Sequence, residues 1–125
     1  MDISKQIGYW INGANSDIET AALLINGRKF TEGLFFCHLT IEKALKALVV
    51  NNTSQLAPKS HNLGYLAELG SVQITDEQMI FMSILMKYQL EGRYPEYFPK
   101  PPSLETVNDY FLKTKNLLEC LKAML

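Results

Sequence analysis

The stretch at residues 34–50, LFFCHLTIEKALKALVV, restricts this chain to few folds. Phe30, Leu34, Cys37, Ile41, Ala44, Leu45 and Leu48 recur at the three-and-four spacing of one helix face. At about 100° per residue, Glu42, Lys43 and Lys46 turn away from that seam, as do Phe35, Phe36 and Leu39 a turn or more earlier. The first half of this helix is therefore apolar nearly all round, and the second half has one dry face and one charged face. Such a helix belongs at the centre of a bundle, where it meets neighbours on more than one side.

The flanking sequence supplies those neighbours. Residues 3–25 give Ile3, Ile7, Trp10, Ile11, Ala14, Ile18, Ala21, Ala22 and Ile25, a long amphipathic helix. Gly8 and Gly13 weaken it by up to about 1 kcal/mol each against alanine. Asn26-Gly27 is expected to close it in a left-handed cap, and the very short turn that follows makes the first two helices antiparallel. Asn51-Asn52 is expected to end the second helix. Residues 52–61, NTSQLAPKSH, read as a polar loop with an extended residue before Pro58. A short helix over residues 62–69 stops at Gly70.

Thr75-Asp-Glu-Gln78 is a capping-box signal that opens a fourth helix, running to about residue 90 and ended by Gly92 and Pro95. Its Met79, Ile80, Phe81, Met82, Ile84, Leu85, Met86 and Tyr88 leave little polar face, so it is buried on both sides or meets another subunit. Residues 92–102, GRYPEYFPKPP, hold four prolines and cannot be helical throughout. Ser103 caps the last helix, lined by Leu104, Val107, Phe111, Leu117, Leu118, Leu121 and Leu125. No stretch reads as a strand. The expected fold is all-α, an up-and-down bundle of four long helices plus one short helix, forming a single domain over residues 1–125.

A chain of 125 residues can bury a real core without metal or disulfide staples. Its net charge of -1 offers no overall pull toward nucleic acid or anionic membrane. The opening MDISKQIGYW lacks the apolar core of a signal peptide, and no run approaches the roughly 18 residues of a membrane span, so a cytoplasmic protein is expected. Cys37 and Cys120 both fall in helical patterns and read as reduced packing residues. Two lone cysteines and two scattered histidines fall short of a zinc site, and no metal or cofactor is expected.

Three segments carry a resemblance. They are Ile41-Glu42-Lys43-Ala44-Leu45-Lys46-Ala47-Leu48 on the second helix, His61-Asn62-Leu63 entering the short helix, and Gly92-Arg93-Tyr94-Pro95 after the fourth. In identity, order and spacing the chain resembles the HEPN family (higher eukaryotes and prokaryotes nucleotide-binding domain). The resemblance implies an up-and-down helical bundle, commonly dimeric and often found beside a small nucleotidyltransferase. Many members are ribonucleases, or toxins silenced by a partner, and these carry an arginine followed four to six positions later by a histidine. Here Arg93 is followed by Tyr94, Pro95, Glu96, Tyr97, Phe98, Pro99 and Lys100, with no histidine.

Read on their own, the candidate residues leave alternatives open. Glu42 and Lys46 form a favourable surface helix pair, or Glu42 orients Lys43 and Lys46 toward a phosphate. His61 is tied into its loop by a ring hydrogen bond, or serves as a ligand or base. Arg93 caps the carbonyls at the end of the fourth helix, or meets a ligand beside Tyr94, with Tyr94 and Tyr97 able to stack on a base. The expected function is a non-catalytic nucleotide-binding or nucleotidyltransferase-partner subunit acting as a homodimer. Its ligand residues would be Arg93, Tyr94, Lys43, Lys46, Glu42 and His61, and none is assigned as catalytic. The rivals are a metal-independent ribonuclease in which Arg93 has a non-standard partner, and a purely structural dimerisation module.

Overall fold

Asp2, Asn62, Thr75 and Ser103 each accept a backbone N–H from the turn that follows, and each marks the start of a helix. The computed structural model describes residues 1–125 and contains five α-helices and no strand. They are α1 (Ile3–Asn26), α2 (Phe30–Thr53), α3 (Leu63–Leu69), α4 (Asp76–Met86) and α5 (Leu104–Lys122), with a 3-10 turn at Pro95–Tyr97. At Thr75 the whole capping box forms: its hydroxyl accepts from Gln78 N at 3.1 Å, and Gln78 Oε1 accepts from Thr75 N at 3.0 Å. The fold is the all-α bundle that the sequence pattern predicts. No helix is long and apolar enough to cross a membrane.

α2 is the central element and packs against α1, α3, α4 and α5. Leu34, Cys37, Ile41, Ala44, Leu45 and Leu48 are all buried, and half-buried Phe30 rests on the same core. Ala14, Ala21 and Ile25 reach them from α1, Leu63 and Leu66 from α3, Phe81, Met82 and Leu85 from α4, and Val107, Leu117, Leu118 and Leu121 from α5. The α1–α2 hairpin closes tightly near its turn. A Cβ placed on Gly33 would stand only 2.7 Å from Ile25 Cγ1, so glycine is what lets the two backbones approach.

Four details differ from the sequence reading, each for a local reason. The left-handed residue after α1 is Arg28 (φ 63), whereas Gly27 is at φ -84. The closure needs a positive φ one residue later, where Lys29 N reaches Leu24 O at 2.8 Å. α2 runs past Asn51-Asn52 to Thr53 and stops at Ser54, which turns left-handed at φ 56. α4 stops at Met86 rather than near residue 90. The bundle thus has three long helices of 24, 24 and 19 residues, one of 11 and one of 7. In a continuing helix the Lys87 carbonyl would accept from Glu91 N; instead Arg93 Nη1 donates to it at 3.1 Å, while Glu91 N donates to Gln89 Oε1 at 2.6 Å. Finally, it is the second half of α2 that is sealed, with Glu42 and every residue from Ala44 to Val50 buried. Its outer face is covered by α3, by the chain leading into it and by Trp10 of α1.

Candidate functional site

That covering puts charged side chains into the interior. Glu42 and Lys46 are 3% and 5% exposed, and Lys46 Nζ lies 3.1 Å from Glu42 Oε2. The lysine also sits over the Trp10 ring, 5.1 Å from its centroid, in a cation–π position supplied by α1. A buried ion pair needs its remaining lone pairs satisfied, or desolvation outweighs the attraction. Here the other oxygen is used by His61, whose Nδ1–H donates to Glu42 Oε1 at 2.9 Å. A second histidine from α2, His38, donates Nε2–H to the His61 carbonyl at 3.0 Å. His61 is therefore gripped twice, by ring and by backbone, from two residues one helical turn apart on α2.

His38 itself is fully buried. Burial pushes its pKa below the ordinary histidine value, with Glu42 pulling the other way. Its Nδ1 has no hydrogen-bond partner and lies 3.8 Å from Glu42 Oε1. Cys37 beside it has a thiol pushed up to about 11 by burial, with the Thr114 hydroxyl opposing, so it is a packing residue rather than a nucleophile.

The far side of the His61 ring opens on a cleft of about 670 Å³. His61, Arg93, Tyr94 and Tyr97 line it, together with Asn62, Gln89, Glu91 and Gly92. Gly92 adopts φ 76, a left-handed turn suited to glycine, and this brings the Arg93 chain back over the end of α4. Tyr94 and Tyr97 are 71% and 69% exposed, with their rings free for a flat partner. Glu91 Oε2 stands 3.3 Å from His61 Nε2.

The structure thus brings three of the six sequence candidates, His61, Arg93 and Tyr94, onto one cleft, and joins Glu42 and Lys46 to it from beneath. Lys43 is elsewhere: its Nζ pairs with Asp17 on α1 at 2.7 Å, and it lines a separate hollow with Tyr9, Asn12 and Gly13. Of the structural alternatives for the single residues, Arg93 does cap Lys87, whereas the His61 ring is tied not into its own loop but to Glu42 on α2. Glu91 and His38 were not singled out as site residues by the sequence. A glutamate before Gly-Arg carries no signal, and His38 sits on an apolar stretch where packing is the ordinary reading. No group of three or more His, Cys, Asp or Glu side chains is placed to hold a metal ion.

The HEPN domain family model matches residues 7–124, nearly the whole chain. The chain belongs to the HEPN family. No curated protein and no solved structure matches it. The three segments that resemble HEPN sequences are the ones the fold draws together: α2 supplies Glu42 and Lys46, the approach to α3 supplies His61, and the turn after α4 supplies Arg93 and Tyr94. In this HEPN chain, a single buried carboxylate connects the first two segments.

Proposed function

We propose that the cleft binds a phosphate-bearing ligand, a nucleotide, without cleaving it, and that the protein works as a homodimer. The observation that carries this reading is the convergence of His61, Arg93, Tyr94 and Tyr97 on one cleft. Ring and guanidinium N–H groups suit phosphate oxygens, and charge-assisted bonds of this kind contribute roughly 1.5–3 kcal/mol each. A base stacked on an exposed tyrosine adds about 1–3 kcal/mol. Lys46 and Glu42 serve by holding the His61 ring, while Lys43 braces α1 against α2 through Asp17. A nucleotidyltransferase-type partner fits the same reading, because a surface that only holds a nucleotide needs a second protein to act on it. The test is calorimetric titration with AMP and ATP. Arg93→Ala and His61→Gln should each weaken binding by about tenfold or more, with less binding at higher salt. No binding at millimolar nucleotide would leave a structural dimerisation module as the better account.

One observation favours a second reading, a metal-independent ribonuclease. The histidine missing after Arg93 is matched in space by His61, a ring oriented by a buried carboxylate and lining the Arg93 cleft. In that chemistry His61 would take the proton of an RNA 2′-hydroxyl, and the freed oxygen would attack the adjacent phosphorus. The 5′-oxygen would leave with the proton His61 had taken, giving a 2′,3′-cyclic phosphate and a 5′-hydroxyl, while Arg93 stabilised the charge on phosphorus. Incubation with mixed RNA separates the readings. Fragments made by the wild type and not by His61→Gln support cleavage, and intact RNA supports binding alone.

A further inference from the structure

The two nitrogens of His61 meet two carboxylates, Glu42 Oε1 at 2.9 Å from Nδ1 and Glu91 Oε2 at 3.3 Å from Nε2. Nδ1–H donates a hydrogen bond to Glu42, whereas Glu91 Oε2 stands beside Nε2 at ion-pair distance outside hydrogen-bond geometry, so the ring lies between two anions. The anions differ in kind. Glu42 is buried and its second oxygen is committed to Lys46. The Glu91 side chain is 62% exposed, its carboxylate meets no partner except His61, and it precedes the left-handed Gly92. One contact is a foundation, and the other is exchangeable.

We propose that Glu91 is an internal occupant of the cleft, a carboxylate that holds the place of an anionic ligand on His61 Nε2 and is displaced when a phosphate binds. This rests on the phosphate-binding reading and adds a specificity-determining residue to it. A phosphate oxygen placed at Nε2 can form the charge-assisted hydrogen bond that Glu91 does not make, while Glu91 returns to water it already touches. An uncharged ligand cannot make that exchange, since it would have to break an anion–imidazole contact and replace it with a weaker one. Affinity in the cleft is then set by the difference between two anions competing for one edge of the ring, and the device rejects neutral ligands that would otherwise stack on Tyr94 and Tyr97.

The experiment titrates inorganic phosphate and AMP into the wild type, Glu91→Gln and Glu96→Gln, reading affinity by calorimetry and location by the His61 ring signals in NMR. Glu91→Gln should bind both probes about fivefold to tenfold more tightly. Glu96→Gln removes the same charge from an exposed residue that does not line the cleft, and should leave affinity unchanged. Equal or weaker binding by Glu91→Gln, or an equal gain in Glu96→Gln, overturns the proposal. If wild-type binding is abolished by His61→Gln yet untouched by Glu91→Gln, this inference fails while the phosphate-binding reading stands. If neither wild type nor Glu91→Gln binds either probe, both fail together.

Discussion

His38 lies wholly inside the bundle, donates Nε2–H to the His61 carbonyl at 3.0 Å and turns a bare Nδ1 toward Glu42. Burial lowers its pKa; Glu42 and the hydrogen bond to the His61 carbonyl oppose this, while the charges of the His61 ring and Lys46 add to it. In the unfolded chain the same ring takes a proton near the ordinary value of about 6.5. Below that pH the unfolded state holds a proton that the folded state refuses. The stability due to a neutral His38 is therefore complete above about pH 6.5 and declines as pH falls, by at most roughly 1.4 kcal/mol per pH unit for one proton. Urea unfolding at pH 7.5 and pH 5.5 measures this. His38→Gln keeps an N–H for the His61 carbonyl and loses the titrating ring, so its stability should change less between the two pH values than that of the wild type. An identical change in both proteins would show that the acid sensitivity belongs to other groups. The sequence could not reveal this role, because an apolar stretch around a histidine looks the same whether its ring packs or supports a neighbour.

The legible part of the molecule is its elements, and the illegible part is what covers them. The seam from Leu34 to Leu48 names the core of α2 correctly because helical period and burial are the same signal. Period alone places Glu42 and Lys46 on a polar face, because it reports only which residues share a side. Their burial is decided by what folds over that side: the chain leading into α3 brings His61 to Glu42, and α1 brings Trp10 to Lys46. Lys43 and Lys46, three residues apart, likewise end in different surroundings on α1, one paired with Asp17 and the other against Trp10. Gly33 shows the reverse case, where an unremarkable residue fixes how two elements meet. Adding a methyl there drives a Cβ to 2.7 Å from Ile25 Cγ1, against a side chain that is itself buried. Gly33→Ala should destabilise the protein by about 1–3 kcal/mol even though alanine is the better helix former. Thermal unfolding decides it, and a Gly33→Ala variant as stable as wild type would mean that α1 and α2 part without strain.

At the scale of the whole molecule, the bundle leaves an apolar face on α4 uncovered. Ile80 on α4 is 65% exposed, Met79 is exposed beside it, and Ile84 is half-buried. Between α4 and α5 runs a groove of about 430 Å³ with Phe81 and Leu117 among its lining residues. The front of α2 contributes less than its sequence suggests, because Phe35, Phe36 and Leu39 are already half-covered by the protomer. The homodimer proposed above therefore places its seam on α4 and α5. Charge supports a two-fold arrangement: Glu77 from α4 and Lys113 from α5 both border the groove, so two copies related by a two-fold axis can pair them in both directions. A stable interface of this sort buries on the order of 1,600 Å² in total. Wild-type protein at micromolar concentration should sediment as a dimer, and Ile80→Glu as a monomer of unchanged helicity, since Ile80 lies outside the protomer's own core. Arg93→Ala should remain dimeric, because its side chain ends on the Lys87 carbonyl. A wild type that sediments only as a monomer would remove the dimer and require the cleft to bind within a single chain; a dimer that survives Ile80→Glu would move the seam to another face.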